Sequence, residues 1–192
     1  MSRPIDSAYR DPLELVWLHA AERLGYAIAR ATDVYASFDG DHTISITVAD
    51  EFDPDDCLGQ MLFHELCHAL VAGPEGRTLE DWGLSNLDRR HEVQEAATNR
   101  LQAALTRPHG LRWVFGTTTE FRDYYDALPE DPLADGDDPA IALARRAHDE
   151  AMRPPWRDAL QTALRQTAAL AEIAAATAPE GSLWRKYLPP PK

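Results

Sequence analysis

The chain has 192 residues, with 19 Lys plus Arg against 32 Asp plus Glu, a formal charge of −13. So much acid argues against a nucleic-acid backbone or an anionic membrane surface as partner, because both recruit clustered Lys and Arg. A hydrophobic content of 44% with five Trp, six Tyr and five Phe exceeds that of disordered chains, so one compact unit is expected.

The elements follow in chain order. Asp11 as N-cap, Pro12, and Leu13, Val16, Trp17, Ala20, Leu24 and Ala27 at helical spacing predict a helix from Pro12 to Thr32. Val34–Phe38 and the alternating His42–Val48 flank Asp39-Gly40-Asp41 and read as a β-hairpin, with His42–Val48 as a possible edge strand for an extended peptide. A second helix is expected from Asp56 to Ala72, stopped by Gly73-Pro74, and a third from Asp88 to Thr106, ended by Pro108-His109-Gly110. From Leu111 to Pro139 the chain reads as irregular, with a helical turn near Arg122–Tyr125. Helices are then expected over Pro139–Met152 and Pro154–Ala178, followed by an extended, mobile tail from Leu188 to Lys192. The fold class is therefore α+β and mostly helical, with residues 1–115 as core and 116–192 as a loop and helices packed on it.

The N-terminus lacks the apolar stretch of a signal peptide, and no run is long enough to span a bilayer. Cys57 and Cys67 fall on one helix about 15 Å apart along its axis, too far for a disulfide. Both features suit the cytoplasm.

The chemistry concentrates in His64-Glu65-Leu66-Cys67-His68, an HExxH pattern. Residues i and i+4 share a helix face, so both imidazoles can reach one metal ion, while Glu65 stands beside that face as a general base. The surrounding Leu58, Met61, Leu62, Phe63, Leu66, Ala69, Leu70 and Val71 would bury the histidines. A catalytic metal needs a third protein ligand. Cys67 points about 100° away from His68 around the helix and reads as a packing residue. Glu95 is the better choice, because Ala96 and Ala97 beside it permit close helix approach. Glu92, one turn earlier, is the alternative ligand or an outer acceptor for an imidazole N–H, and His91 shares the face of Glu95. Asp81 is expected to pair with Arg77 beside the site. Tyr124 and Tyr125 offer hydroxyls for an oxyanion or, more commonly, aromatic anchors. His109 reads as a helix C-cap residue; His19, His42 and His148 read as exposed.

This order of elements resembles the minimal zincin arrangement of glutamate-zincin metallopeptidases. Over residues 60–100, the motif followed by Val71-Ala72-Gly73, Arg77, Leu79 and Asp81-Trp82-Gly83 also resembles the elongation factor P hydroxylase family, a zincin-like fold that binds iron through two His and one carboxylate. The sequence departs from that pattern at Ala69 and at Leu84-Ser85-Asn86. Three expectations follow. The first is a Zn²⁺-dependent hydrolase acting on a peptide or protein substrate. The second is a non-haem Fe²⁺ oxygenase using the same triad. The third is a non-catalytic interaction module with a vestigial metal site, its acidic surface serving a basic partner.

Overall fold

The computed structural model describes residues 6–84 and 89–190. Among these are six α-helices and one three-stranded sheet, against which the first two helices pack. Helix α1 spans Pro12–Arg23 and starts where Asp11 Oδ1 accepts the backbone N–H groups of Leu13 and Glu14 at 2.9 and 3.1 Å. This is the cap that the sequence implies.

The expected continuation of that helix to Thr32 is overturned. At Gly25 the chain adopts φ +89°, which an L side chain rarely tolerates, and it emerges as strand β1, Ala27–Ala31. Short apolar runs such as Ala27-Ile28-Ala29 suit either state, and here pairing with a distant strand decided the outcome. Strand β1 runs parallel to β3, Thr43–Thr47, with Ala27 opposite Thr43 and Ala31 opposite Thr47. Strand β2, Ala36–Phe38, pairs antiparallel to β3 with Ser37 opposite Ser45. The hairpin is thus present, its turn gathered by Asp39 Oδ1, which accepts the N–H groups of Asp41, His42 and Thr43. The sheet order β1-β3-β2 makes β3 central, so His42–Val48 cannot be the edge strand; the edges are β1 and β2.

Helix α2, Leu58–Gly76, is apolar on nearly every side, as a helix enclosed by others must be. It packs against α1, against α3 (Arg89–Thr106), against α5 (Ala140–Ala151) and against β3. Its regular turns end at Gly73, where φ is +72°, and Pro74 opens one further turn to Gly76. The expected start of α3 at Asp88 lies outside the described residues. Between α3 and α5 comes the short helix α4, Arg122–Asp126, and α6, Trp156–Thr177, closes on α1.

One continuous apolar core runs from Leu13 to Ala171. At its centre Trp17 packs against Phe63 and Phe115, with ring centroids 4.9 and 5.6 Å away, while its indole N–H donates to Thr167 on α6 at 3.1 Å. Each such fully buried large side chain contributes about 1.5–3 kcal/mol. The expected mobile tail is tied down at Leu188, whose N–H donates to Gly110 O at 3.1 Å. Pro191 and Lys192 lie outside the described residues. No described helix is long and apolar enough to cross a membrane.

Candidate metal centre

Helix α2 presents His64 and His68 one turn apart, and α3 brings Glu95 against them. His68 Nε2 lies 3.1 Å from His64 Nε2 and 3.1 Å from Glu95 Oε1, and His64 Nε2 lies 3.8 Å from Glu95 Oε2. Four-coordinate zinc with bonds of about 2.05 Å has donor–donor edges of about 3.3 Å, so these three side chains fit a single ion. Ala97, two positions after Glu95, is fully buried.

The far sides of both rings fit the same reading. His64 Nδ1 is 2.9 Å from Gln102 Oε1, and the Gln102 amide N–H donates to Phe115 O. Since that amide is oriented by the carbonyl, its oxygen faces the ring, Nδ1 of His64 is the donor to it, and Nε2 faces inward, where a metal ion would take the place of its proton. His68 Nδ1 meets Thr98 Oγ1 at 3.2 Å. Gln102 shares the polar face of α3 with Glu92, Glu95 and Asn99, but neither it nor Thr98 has a role legible from residue type alone. Their signal was there: Thr98 and Gln102 lie three and seven positions after Glu95, on its helix face.

Burial opposes a charge on His64, yet the adjacent Glu95 and Glu65 carboxylates and the Gln102 contact lift its pKa to about 9. For Glu95 burial opposes ionisation, and the two imidazoles outweigh it, holding the carboxyl well below its usual range. The three donor groups lie within 4.8 Å of one another, close enough to share one positive centre.

Glu65 is 7% exposed and is no member of the triad; its Oε2 accepts the Trp82 indole N–H at 2.8 Å. Trp82 stacks flat on Phe38 of β2, centroids 3.8 Å apart and planes 3° from parallel. Asp81 and Trp82 hold φ values of +47° and +62°, a conformation costing about 1–3 kcal/mol per residue for non-glycine side chains. Two contacts retain it: the stack, and Asp81 Oδ1 accepting the Phe38 N–H at 3.0 Å. Asp81 therefore does not pair with Arg77 as expected. Arg77 pairs with Glu150, donates to Ala69 O at 2.8 Å and covers the Trp156 ring, fastening α5 and α6 to α2.

A cavity of about 240 Å³ adjoins the triad, with Glu65, His68, Asp81 and His91 on its walls and Ala36-Ser37 of β2 along one side. His91 Nδ1 is buried with no partner among the described residues. Tyr35 O and Asp39 N bond to β3, so the intervening Ala36 and Phe38 direct their backbone groups away from it, where the Phe38 N–H meets Asp81 and Ala36 lines the cavity. Glu92, by contrast, is exposed, and no hydrogen bond joins it to either histidine among the described residues.

The remaining candidates are structural. The Tyr124 hydroxyl donates to Asp138 at 2.7 Å and the buried Tyr125 hydroxyl to Arg112 O at 2.7 Å. Cys67 is fully buried in the core, and burial pushes its thiol well above the usual range. His109 sits in a 3-10 turn ended by Gly110 and contacts Gln161 at 3.1 Å, His19 and His42 are exposed, and His148 is half-buried instead of exposed. No known protein family, curated protein or solved structure matches the chain.

Proposed function

We propose that the protein is a metal-dependent hydrolase of zincin type that cleaves a peptide or amide bond, with His64, His68 and Glu95 as the ligands of Zn²⁺. The observation that carries this reading is the meeting of three donors at 3.1, 3.1 and 3.8 Å with an ionisable carboxylate, Glu65, held beside them by a separate contact. Zinc held there supplies Lewis acidity, bringing the pKa of water toward about 7. Glu65 takes the proton of the attacking water and returns it to the leaving amine, and Trp82 keeps the carboxylate at one angle for both transfers. The Ala36 end of the β2 edge, on the cavity wall, supports an extended peptide as substrate, since Ala36 can pair with it through backbone groups alone.

A second reading exchanges the metal for Fe²⁺ and the reaction for hydroxylation of a protein or small molecule. It is favoured by the run from His64 to Asp81-Trp82-Gly83, which resembles the elongation factor P hydroxylase family. Elemental analysis of protein purified without added metal, aerobically and anaerobically, separates the two. Zinc at about one per chain, with peptide cleavage that Glu65→Gln lowers at least about a hundredfold, supports the hydrolase. Retention of iron only under anaerobic conditions, without cleavage, supports the oxygenase. A protein that takes up neither metal refutes both and leaves the interaction module.

A further inference from the structure

Beside the triad, the turn that carries Trp82 also closes one end of the β2 edge. The outward N–H of Phe38 is taken by Asp81 Oδ1 at 3.0 Å, and the Trp82 ring covers the Phe38 ring. Further along, a Cβ built on Gly40 would meet the Glu80 nitrogen at 2.8 Å, so the 79–82 segment lies directly against the hairpin turn. From Phe38 onward the edge is therefore closed to a further strand. Since β2 begins at Ala36, the backbone groups of that one residue are the pairing that the strand offers on the cavity wall.

A chain paired there runs into the 79–82 segment, which suits a substrate whose end lies in the cavity. The volume agrees: about 240 Å³ is below the about 300–1,000 Å³ of ordinary small-molecule sites. Charge distinguishes the two ends of a peptide. Asp81 and Glu65 line the cavity, and no Lys or Arg does among the described residues. A terminal carboxylate would face like charge, whereas a terminal ammonium finds an acceptor. Oδ1 of Asp81 is fixed on the Phe38 N–H, and its Oδ2 has no partner among the described residues. Strained backbone is retained where it positions a functional group, and φ values of +47° and +62° hold Asp81 and Trp82 at this end of the strand.

We infer that the site takes the free N-terminal end of a peptide, with Asp81 accepting a hydrogen bond from the α-ammonium and Ala36 pairing with the backbone beside it. For the reaction this rests on the hydrolase reading, to which it adds the end of the chain that is cut. The chemistry is unchanged: the water oxygen bonds the acyl carbon, the C–N bond breaks, and the leaving amine receives the proton that Glu65 took from the water. Asp81 acts on specificity alone, by selecting which end of a chain lies next to Glu65 and His68.

The test uses the full chain with Glu65→Gln and loaded with Zn²⁺, so that cleavage is suppressed and no charge at position 65 competes for the probe. Three probes share a tetra-alanine body: one with a free amino terminus and an amidated carboxyl end, one acetylated and amidated, and one acetylated with a free carboxylate. In calorimetry the ammonium form should bind at least about tenfold more tightly than either other form, the value of one hydrogen bond to a charged group. Amide chemical-shift changes should centre on Ala36, Ser37 and Asp81. Asp81→Asn keeps an oxygen for the Phe38 N–H, suits a positive φ and loses the charge, so this preference should fall at least about threefold with zinc content unchanged. In the parent protein, free peptides should lose residues from the N-terminus, and Asp81→Asn should raise KM for them more than it lowers kcat. Equal affinity for the three probes, or binding of none, overturns the inference even if Asp81→Asn does not fold. An unchanged preference in a folded Asp81→Asn protein overturns it too. Cleavage of free and acetylated peptides alike also overturns it and leaves the hydrolase reading standing, whereas an ammonium preference in a protein that cleaves no peptide upholds the binding and refutes that reading alone.

Discussion

Gln102→Leu tests the metal centre from behind. Gln102 is 1% exposed and joins two groups, accepting from His64 Nδ1 at 2.9 Å and donating to Phe115 O. Leucine is similar in size and lacks both functions, so two buried polar groups lose their partners at about 1–3 kcal/mol each. The apolar surface gained by leucine offsets about half of that. The folded state should therefore lose about 1–3 kcal/mol, and the melting temperature should fall by about 2–4 °C per kcal/mol in a chain of this size. Metal affinity should drop independently, since loss of an outer-shell acceptor costs about 10- to 100-fold, or about 1.4–2.7 kcal/mol. Competition against a chromophoric zinc chelator measures that loss, with the melting temperature followed in the same samples. Gln102→Glu separates the two roles, because it keeps an acceptor for His64 and removes the donor to Phe115. It should retain more of the affinity than Gln102→Leu. A folded Gln102→Leu protein that binds Zn²⁺ within about twofold of the parent refutes the reasoning, because His64 would then need no orienting partner.

Four further outcomes are expected. His68→Ala or Glu95→Ala should reduce zinc content from about one per chain to near none, whereas Glu92→Ala, at an exposed position, should leave it unchanged; the reverse pattern would make Glu92 the ligand. Trp82→Phe keeps a ring against Phe38 but loses the N–H that holds Glu65, so kcat on a cleaved peptide should fall about 10- to 100-fold with KM little changed and the metal retained, whereas a fall in metal content would place Trp82 in metal binding instead. In Asp138, burial opposes ionisation, while Tyr124, the Ala140 N–H and Arg100 hold the pKa below its ordinary 3.8. Its contribution is thus present above pH 3.8 and lost as pH falls through the lower folded value, so Asp138→Asn should cost about 1.5–3 kcal/mol in urea unfolding at pH 7 and progressively less toward pH 3. A constant difference across that range would show that the carboxylate charge is not what matters. Gly110→Ala should destabilise by more than about 2 kcal/mol, because φ is +70° and a Cβ there would come within 1.9 Å of Leu188 O; an unchanged urea midpoint would mean that the tail does not hold this position in solution.

Local physics makes part of this protein legible in its sequence. The cap at Asp11, the stop at Gly73-Pro74 and the helical placement of His64 and His68 depend on residues within a few positions of each other, and the structure has them as expected. The preference for Glu95 over Glu92 also came from neighbours, Ala96 and Ala97, and the donor atoms of Glu95 do lie with those of the two histidines. What the sequence could not express was pairing across the chain. Ala27–Ala31 became a strand because Thr43–Thr47 was there to receive it, and a parallel partner leaves no periodic mark. Asp81 was assigned to Arg77 on proximity along the chain, yet the fold gave Asp81 to the Phe38 N–H and Arg77 to Glu150, because each is carried to a different neighbour by the packing of α2. The roles of Gln102, Thr98 and Trp82 arise in the same way. Each is an ordinary polar or aromatic residue by type, and only the approach of α3 and the 81–83 turn to α2 gives it an imidazole or a carboxylate to hold, since a hydrogen bond of about 3 Å is a statement about tertiary distance that no spacing along one element contains.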